Sequence, residues 1–319
     1  MNARTSLFSA LVIGLAVFLA GCNEGGEATT TAAAPSAEQI EIAKHNAYVK
    51  AAGVMAGSFN ETLQAHVEKY AKRLEGDKPL EEYAVVRATD VSKVKTALNE
   101  AIVKEGAIPE VDPSAKEYAS AVTAFEPINS ELSNYAETKG FLSDGGQKAR
   151  EKDPAFVEAL EKVAVAEAAF FTAMQARDER LTREAYEKAP EDSLERYRAG
   201  VIFFSKDAMN NVGAMFASPA DAKIRADAKA SLDRLAETAE GWDRKLREGG
   251  GDGCASKRNA INKVIAGART ALGRAEKGDY SREEDPNALI RVQNPAQLDS
   301  HQLNNDYSWM IGTFNADLC

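Results

Sequence analysis

Large aromatic side chains are scarce in this chain: Phe, Trp and Tyr make up 7% of 319 residues, and only two of them are tryptophan. Alanine and the helix formers Glu, Lys, Arg and Leu fill most of the remainder, a mixture that favours helices over sheet. Histidine is scarcer still, at His45, His66 and His301. None has a glutamate three residues away, so the Glu-x-x-His arrangement of di-iron bundles is missing. His-Glu-x-x-His is absent as well. The imidazoles read as helix-surface or partly packed groups, and no metal or cofactor is expected. A Gly-x-Ser-x-Gly elbow is lacking; Ser143, between Gly140 and Gly145, has the wrong spacing in a helical context. Gly249 to Gly253 lacks the Lys-Ser/Thr ending of a phosphate loop and follows no strand. Positive charge is also short, with 39 Lys and Arg against 49 Asp and Glu for a net charge of −10. A chain that acidic repels phosphate backbones, which argues against nucleic acid as a partner. Carboxylates are plentiful, but acid–base catalysis needs a specific pair in one pocket, and spacing singles out none.

Long hydrophobic runs are missing too. The apolar run from Leu7 to Ala20 is 14 residues, short of the roughly 18 that a spanning helix needs. It follows Arg4 and ends in Leu19-Ala20-Gly21-Cys22. A charged start, a short apolar stretch and a small-residue cleavage site form an export signal. Cysteine directly after Leu-Ala-Gly resembles the lipobox of bacterial lipoproteins, whose thiol is acylated after cleavage between Gly21 and Cys22. The bland alternative is an ordinary secretory signal that happens to end in cysteine. Without residues 1–21 the chain keeps 298 residues and loses one basic side chain, Arg4, leaving 38 basic against 49 acidic groups and a net charge of −11. Such a surface is repelled by anionic lipid, so acyl chains at Cys22 would do the holding. Each buried methylene contributes about 0.8 kcal/mol, and one chain alone binds only marginally. Lipoprotein cysteines carry two or three. Asn23 stands where an aspartate would signal inner-membrane retention, which points to the outer membrane, facing the periplasm.

Residues 22–37 are Gly, Glu, Thr, Ala and Pro with hardly a large apolar side chain, the composition of a flexible tether. Residues 38–319 are expected to form an all-α, elongated bundle of about seven to eight helices without substantial sheet. Ser36 and Gln39 make a capping box. One long helix is predicted from there to Gly76, with Ile40, Ala43, Ala47, Ala51, Met55, Phe59, Leu63, Val67, Tyr70 and Leu74 inward. A second starts at Pro79 and runs to about Glu105. The third carries Tyr118, Val122, Phe125, Leu132 and Tyr135 inward, and Pro127 should kink it. Gly140 to Asp153 reads as a polar connection, and Asp153-Pro154 as the start of a helix on the order of 50 Å long. Three further stripes follow, on Leu194 to Met215, on Ile224 to Leu246 after a cap at Ser218 and Asp221, and on Ile261 to Leu272. Gly278 to Leu298 reads as a wrapped loop with a hint of extended chain at Leu289 to Val292. Leu303, Tyr307, Met310, Ile311, Phe314 and Leu318 mark the final helix.

Two passages and the C-terminal helix carry a resemblance. Asn46-Ala47-Tyr48-Val49, then Tyr135-Ala136-Glu137-Thr138-Lys139 with Asp144, Lys148 and Phe156 to Leu160, and Tyr307…Met310-Ile311…Phe314-Asn315 resemble the YiiG-like bacterial lipoproteins. That family is defined by a domain of unknown function. Its pattern prefers a second tyrosine and Lys-Asp-Tyr with paired acids in the middle passage, where this chain has Ala136, Gly140, Phe141 and Ser143. The resemblance covers residues 38–319. It implies an all-helical exported lipoprotein and carries over no catalytic residue. Asn46, Tyr48, Tyr135, Lys139, Asp144, Tyr307 and Asn315 stand as candidate binding or core polar groups.

Cys254 and Cys319 remain once Cys22 is lipidated, an even pair in an oxidising compartment. A bridge between them would close a loop of about 65 residues and stabilise by about 3–4 kcal/mol on the chain-entropy model; two free thiols are the alternative. Asn46, Asn129, Asn211 and Asn315 fall near apolar stripes, where a buried amide needs partners. They read as register-setting core amides or as a polar recognition patch. The expected function is a non-enzymatic, lipid-anchored domain of the envelope that binds a protein partner or small ligand. The alternatives are an envelope hydrolase with an unrecognised carboxylate site and a structural spacer. Two buried acids in a deep pocket would favour the hydrolase, and an aromatic groove over a solid core the binder.

Overall fold

The computed structural model describes residues 35–55, 57–250, 254–281 and 294–316. Cys22 and the export signal, the tether up to residue 34, Leu289 to Val292, Leu318 and Cys319 lie outside them, as do the side chains of Ser281 and Asn315. Among the described residues the fold is all-α, with ten α-helices, one 3₁₀ turn and no strand. They divide into two compact units, one ending at Arg177 and the other beginning at Asp178.

In the first unit, α1 (Ala37–Ala52) opens with the expected capping box of Ser36 and Gln39. It does not continue to Gly76. The chain leaves the helix at Gly53 and restarts as α2 (Phe59–Glu75), where Ser58 and Glu61 form a second capping box. A local start signal therefore overrides an apolar period that runs through it. The buried face of α1 is also rotated from the expected stripe: Lys44, His45, Tyr48 and Ala51 face inward, and Ala43 is exposed. Lys44 is tolerated there because its ammonium donates to the carbonyls of Gly106 (2.9 Å) and Ile102 (3.4 Å) and pairs with Asp112 (3.3 Å).

Pro79 opens no helix. Residues 76–87 run without helix, their backbone held instead by tertiary bonds: Leu80 N–H to the Gly145 carbonyl, and the Arg150 guanidinium to the Gly76 and Lys78 carbonyls. Helix α3 (Ala88–Ile102) follows. Helix α4 (Asp112–Glu137) begins at the Asp112-Pro113 pair that read as loop, and continues through Pro127. One-turn α5 (Phe141–Asp144) lies inside the supposed connection, and α6 (Gln147–Lys188) begins well before Asp153-Pro154. These two changes, the split of the first helix and the extra turn, raise the count from the expected seven or eight to ten. At 42 residues α6 is roughly 63 Å long. Its N-terminus is capped by Asp144, which accepts from the N–H groups of Gly146 (2.8 Å) and Lys148 (3.2 Å).

The aromatic residues of this unit's core form an unbroken line of ring contacts. It runs from Tyr48 through Phe170, Tyr118, Phe59, Phe125, Phe156, His66, Tyr70, Tyr83 and Tyr135 to Phe141, each step 4.9 to 6.4 Å between centroids. Edge-to-face and tilted pairs of this kind add about 0.5–1.5 kcal/mol each beyond area burial.

The second unit is built from the end of α6, α7 (Leu194–Ala217), α8 (Ala222–Glu248), α9 (Ala255–Glu276), the 3₁₀ turn at Asp279–Ser281 and α10 (Pro295–Asn315). Its core contains the stripes read from sequence: Val201, Val212 and Met215 from α7, Leu232, Leu235 and Trp242 from α8, Ile261, Val264 and Leu272 from α9, Leu303, Met310, Ile311 and Phe314 from α10. Asp221 alone caps α8, whereas Ser218 ends α7. Residues 295–298, expected in a loop, form the first turn of α10.

One buried acid in the first unit has a pH consequence. Glu167, 3% exposed, accepts from the Phe59 N–H at 2.8 Å and the Tyr118 hydroxyl at 3.2 Å, so it caps α2 from another helix. Burial disfavours its charge more than these donors favour it, and its pKa is raised to about 7. For an acid raised in the folded state, the stabilising contribution is complete below the unfolded value near 4.5 and is lost as pH rises through about 7. Unfolding of the wild type should therefore lose ~3 kcal/mol relative to Glu167→Gln between pH 4.5 and 8. Parallel urea titrations at the two pH values measure it; equal wild-type and variant pH dependence would refute it.

Candidate functional site

The second unit holds a pocket of ≈ 410 Å³ among α6, α7 and α8. Aromatic side chains on its wall are Tyr186, Tyr197 and Phe204, and its charged groups are Arg196, Arg234, Arg244, Asp192 and Glu237. Two glycines make room for the rings. A Cβ on Gly241 would lie 2.2 Å from the Tyr197 ring, and one on Gly200 would lie 2.7 Å from the Thr238 methyl and 3.1 Å from the Tyr186 ring. Glycine in a helix interior costs about 1 kcal/mol relative to alanine, so these two positions trade helix propensity for close ring contact.

The arginines are arranged against the rings. The Arg196 guanidinium lies 4.6 Å from the Tyr186 centroid and Arg244 lies 5.6 Å from that of Tyr197. Arg244 also donates to the Tyr197 hydroxyl at 3.0 Å and pairs with Asp192 at 3.5 Å; Arg234 pairs with Asp207 at 2.9 Å. Asp192 is bound by Lys245 at 2.6 Å, and that bond, with further help from Tyr197 and Arg244, holds its pKa below the usual carboxylate range.

The residues singled out by sequence behave differently. Tyr48 is fully buried and donates to Asp112 at 2.7 Å, and burial pushes its pKa up. Burial also works against the charge on Asp112, but bonds from Tyr48, the Ile108 N–H and Lys44 outweigh it and lower its pKa. Tyr135 and Asp144 do come together, at 2.6 Å, and Lys148 lies 5.7 Å over the Tyr135 ring. The tyrosine hydroxyl, with the Gly146 and Lys148 N–H groups, lowers the Asp144 pKa. This cluster is the N-terminal cap of α6 rather than a cavity. Lys139 is exposed at φ 54°, closing the turn after α4, and Asn46 is exposed. Asn129 is fully buried and donates to the Val86 carbonyl at 3.0 Å, while its side-chain oxygen has no partner among the described residues. Asn211 bonds back to Asp207 on its own helix. Tyr307 belongs to the second unit's core, where burial raises its pKa.

His45 and His66 are more deeply packed than expected, at 6% and 5% exposure. His66 Nε2 lies 2.7 Å from Asp153, and His45 Nδ1 lies 3.3 Å from the Arg177 guanidinium; His301 is exposed. No cluster of three or more potential metal ligands occurs among the described residues. Glu167, whose titration is strongly shifted, lies in the first unit's core and not on the pocket wall. A second, more open depression of ≈ 850 Å³ between α4 and α6 is floored by alanines and rimmed by Glu117, Glu158 and Glu161, with no aromatic ring on it. The pocket residues Tyr186, Arg196, Arg234 and Arg244 went unmarked in the sequence. Gly200 and Gly241, isolated within helical stripes, were the available signal.

A bundle of helices with one aromatic, arginine-lined pocket and a cap motif at α6 defines an all-α protein class without a recognisable catalytic constellation among the described residues. The chain belongs to the family described as protein of unknown function (DUF3829), whose pattern matches residues 39–316. No curated protein and no solved structure matches it.

Because the Tyr197 ring occupies the space of a side chain at position 241, Gly241→Ala should destabilise the second unit by about 1–3 kcal/mol despite the gain in helix propensity. Thermal unfolding measures it, and a raised Tm would show that the ring does not lie there.

Proposed function

We propose that the chain is an exported, lipid-anchored binding protein of the bacterial envelope, held by acyl chains on Cys22 at the outer membrane and facing the periplasm. The binding role rests on the pocket of Tyr186, Tyr197, Phe204 and Arg196. Its size and aromatic walls are those of a small-ligand site, and half of its lining residues are charged. The anchor rests on Leu19-Ala20-Gly21-Cys22 and the short apolar run before it. No helix among the described residues is long and apolar enough to cross a membrane. The finer kinship to the YiiG-like lipoproteins is part of the same reading, supported by the Tyr135–Asp144–Lys148 cap, whose residues carry the resemblance and hold the start of α6. In cells labelled with a palmitate analogue, the wild type should incorporate label and sediment with membranes. Cys22→Ser should do neither, and an unlabelled wild type would remove the anchor.

The Cys254–Cys319 bridge belongs to this reading as well. Cys254 is buried at the N-terminus of α9. Phe314 packs 5.5 Å from Trp242, and Lys257 lies 5.8 Å over the Phe314 ring, so the end of α10 lies beside the first turn of α9. The five residues from Phe314 to Cys319 can reach roughly 16 Å. Thiol titration of the exported protein in denaturant should find neither sulfhydryl free, and two would end the idea.

A further inference from the structure

We infer that the second unit's pocket takes a small organic anion, a carboxylate or phosphate carried on an apolar body, and that Arg196 recognises its charge. This deepens the binding reading above and rests on it.

The charges on the pocket are unequally satisfied. Arg234 is matched by Asp207, and Arg244 by Asp192 and Glu248. Asp192 is in turn shared with Lys245. Among the described residues, no carboxylate lies within ion-pair distance of Arg196. Its Nη1 donates to the Ala189 carbonyl at 3.1 Å, and its guanidinium carbon lies 4.6 Å from the Tyr186 centroid. A guanidinium has five N–H donors in a rigid fork, matched to the paired oxygens of carboxylate or phosphate. Holding that fork in place over a ring removes much of the ordering cost of binding. The half-buried position of Arg196 also strengthens its attraction relative to a surface arginine.

The surroundings say why an anion with an organic body is selected. In a chain of net charge −10, three of the pocket's five charged lining residues are arginines. The long-range field repels anions, so binding depends on contact with this local cluster. Tyr197 and Phe204 supply apolar wall that a bare inorganic ion would leave in contact with nothing. Glu237, exposed on the same wall, opposes the ligand's charge. Its removal should therefore tighten anion binding, an effect that a purely structural change does not produce.

The test uses the full mature chain and ligand-observed NMR with four probes: benzoate, phenyl phosphate, inorganic phosphate and neutral benzyl alcohol. Benzoate or phenyl phosphate should bind at least tenfold more tightly than benzyl alcohol or inorganic phosphate, and which of the two is tighter tells carboxylate from phosphate. Arg196→Gln should weaken the organic anion at least tenfold, Arg196→Lys should weaken it less, and Glu237→Gln should strengthen it. Arg274→Gln, paired with Asp299 between α9 and α10 and not on the pocket wall, should leave it unchanged. Benzyl alcohol binding as well as benzoate, or an Arg196→Gln variant that keeps full affinity while folded by circular dichroism, overturns the inference and leaves the binding pocket standing. No response from any probe counts against both.

Discussion

Four polar rings stay in the core of the first unit because a carboxylate holds each of them. Tyr48 donates to Asp112, Tyr118 to Glu167 and Tyr135 to Asp144, and His66 is paired with Asp153. The same device recurs in the second unit, where the Tyr280 hydroxyl donates to Asp299 at 2.5 Å and Tyr197 to Asp192 at 3.2 Å. A hydroxyl taken from water without a partner costs about 1–3 kcal/mol, and a hydrogen bond to a charged acceptor is worth about 1.5–3. In a chain with a surplus of acids, carboxylates are the acceptors at hand. They do double work, since Asp144 and Glu167 also satisfy the open N–H groups of α6 and α2. Line, caps and helix starts are therefore one connected arrangement.

That arrangement also marks where sequence reading succeeds. The stripes of α8, α9 and α10 were legible because each presents apolar residues at helical spacing to neighbours that cover them, and little else decides their fate. The all-α class was legible for the same reason. The face of α1 was not, because what buries Lys44 is a set of carbonyls some sixty residues away. Asp153-Pro154 is a sound helix start by local rules, yet Asp153 is engaged by His66, 87 residues distant, and the helix has already begun. Ser58 and Glu61 were readable by the grammar that identified Ser36 and Gln39, but the apolar period across Gly53 concealed them. Tertiary hydrogen bonds account for the first two misses, and a local cap hidden under an apolar period for the third.

The pocket follows a different logic from the cores. Tyr197 and Phe204 sit on the inward stripe of α7, yet both are only half-buried, because the space beside them is left open. Thr238, Gly200 and Gly241 keep the facing surface thin, and Arg196 and Arg244 lie over the Tyr186 and Tyr197 rings. Glycines opposite large rings, with cations over two of them, give a cavity whose rings seat against helix backbone.

Both tryptophans, Trp242 in α8 and Trp309 in α10, belong to the second unit, whereas the first unit's long aromatic line contains only tyrosine, phenylalanine and histidine. Indole emission therefore reports on one unit alone, whereas phenolic absorbance, from five tyrosines in the first unit and four in the second, reports on both. The protein carries its own label for the second unit, and comparing indole emission with far-ultraviolet circular dichroism, which sees every helix, shows without an added dye whether the two halves unfold together.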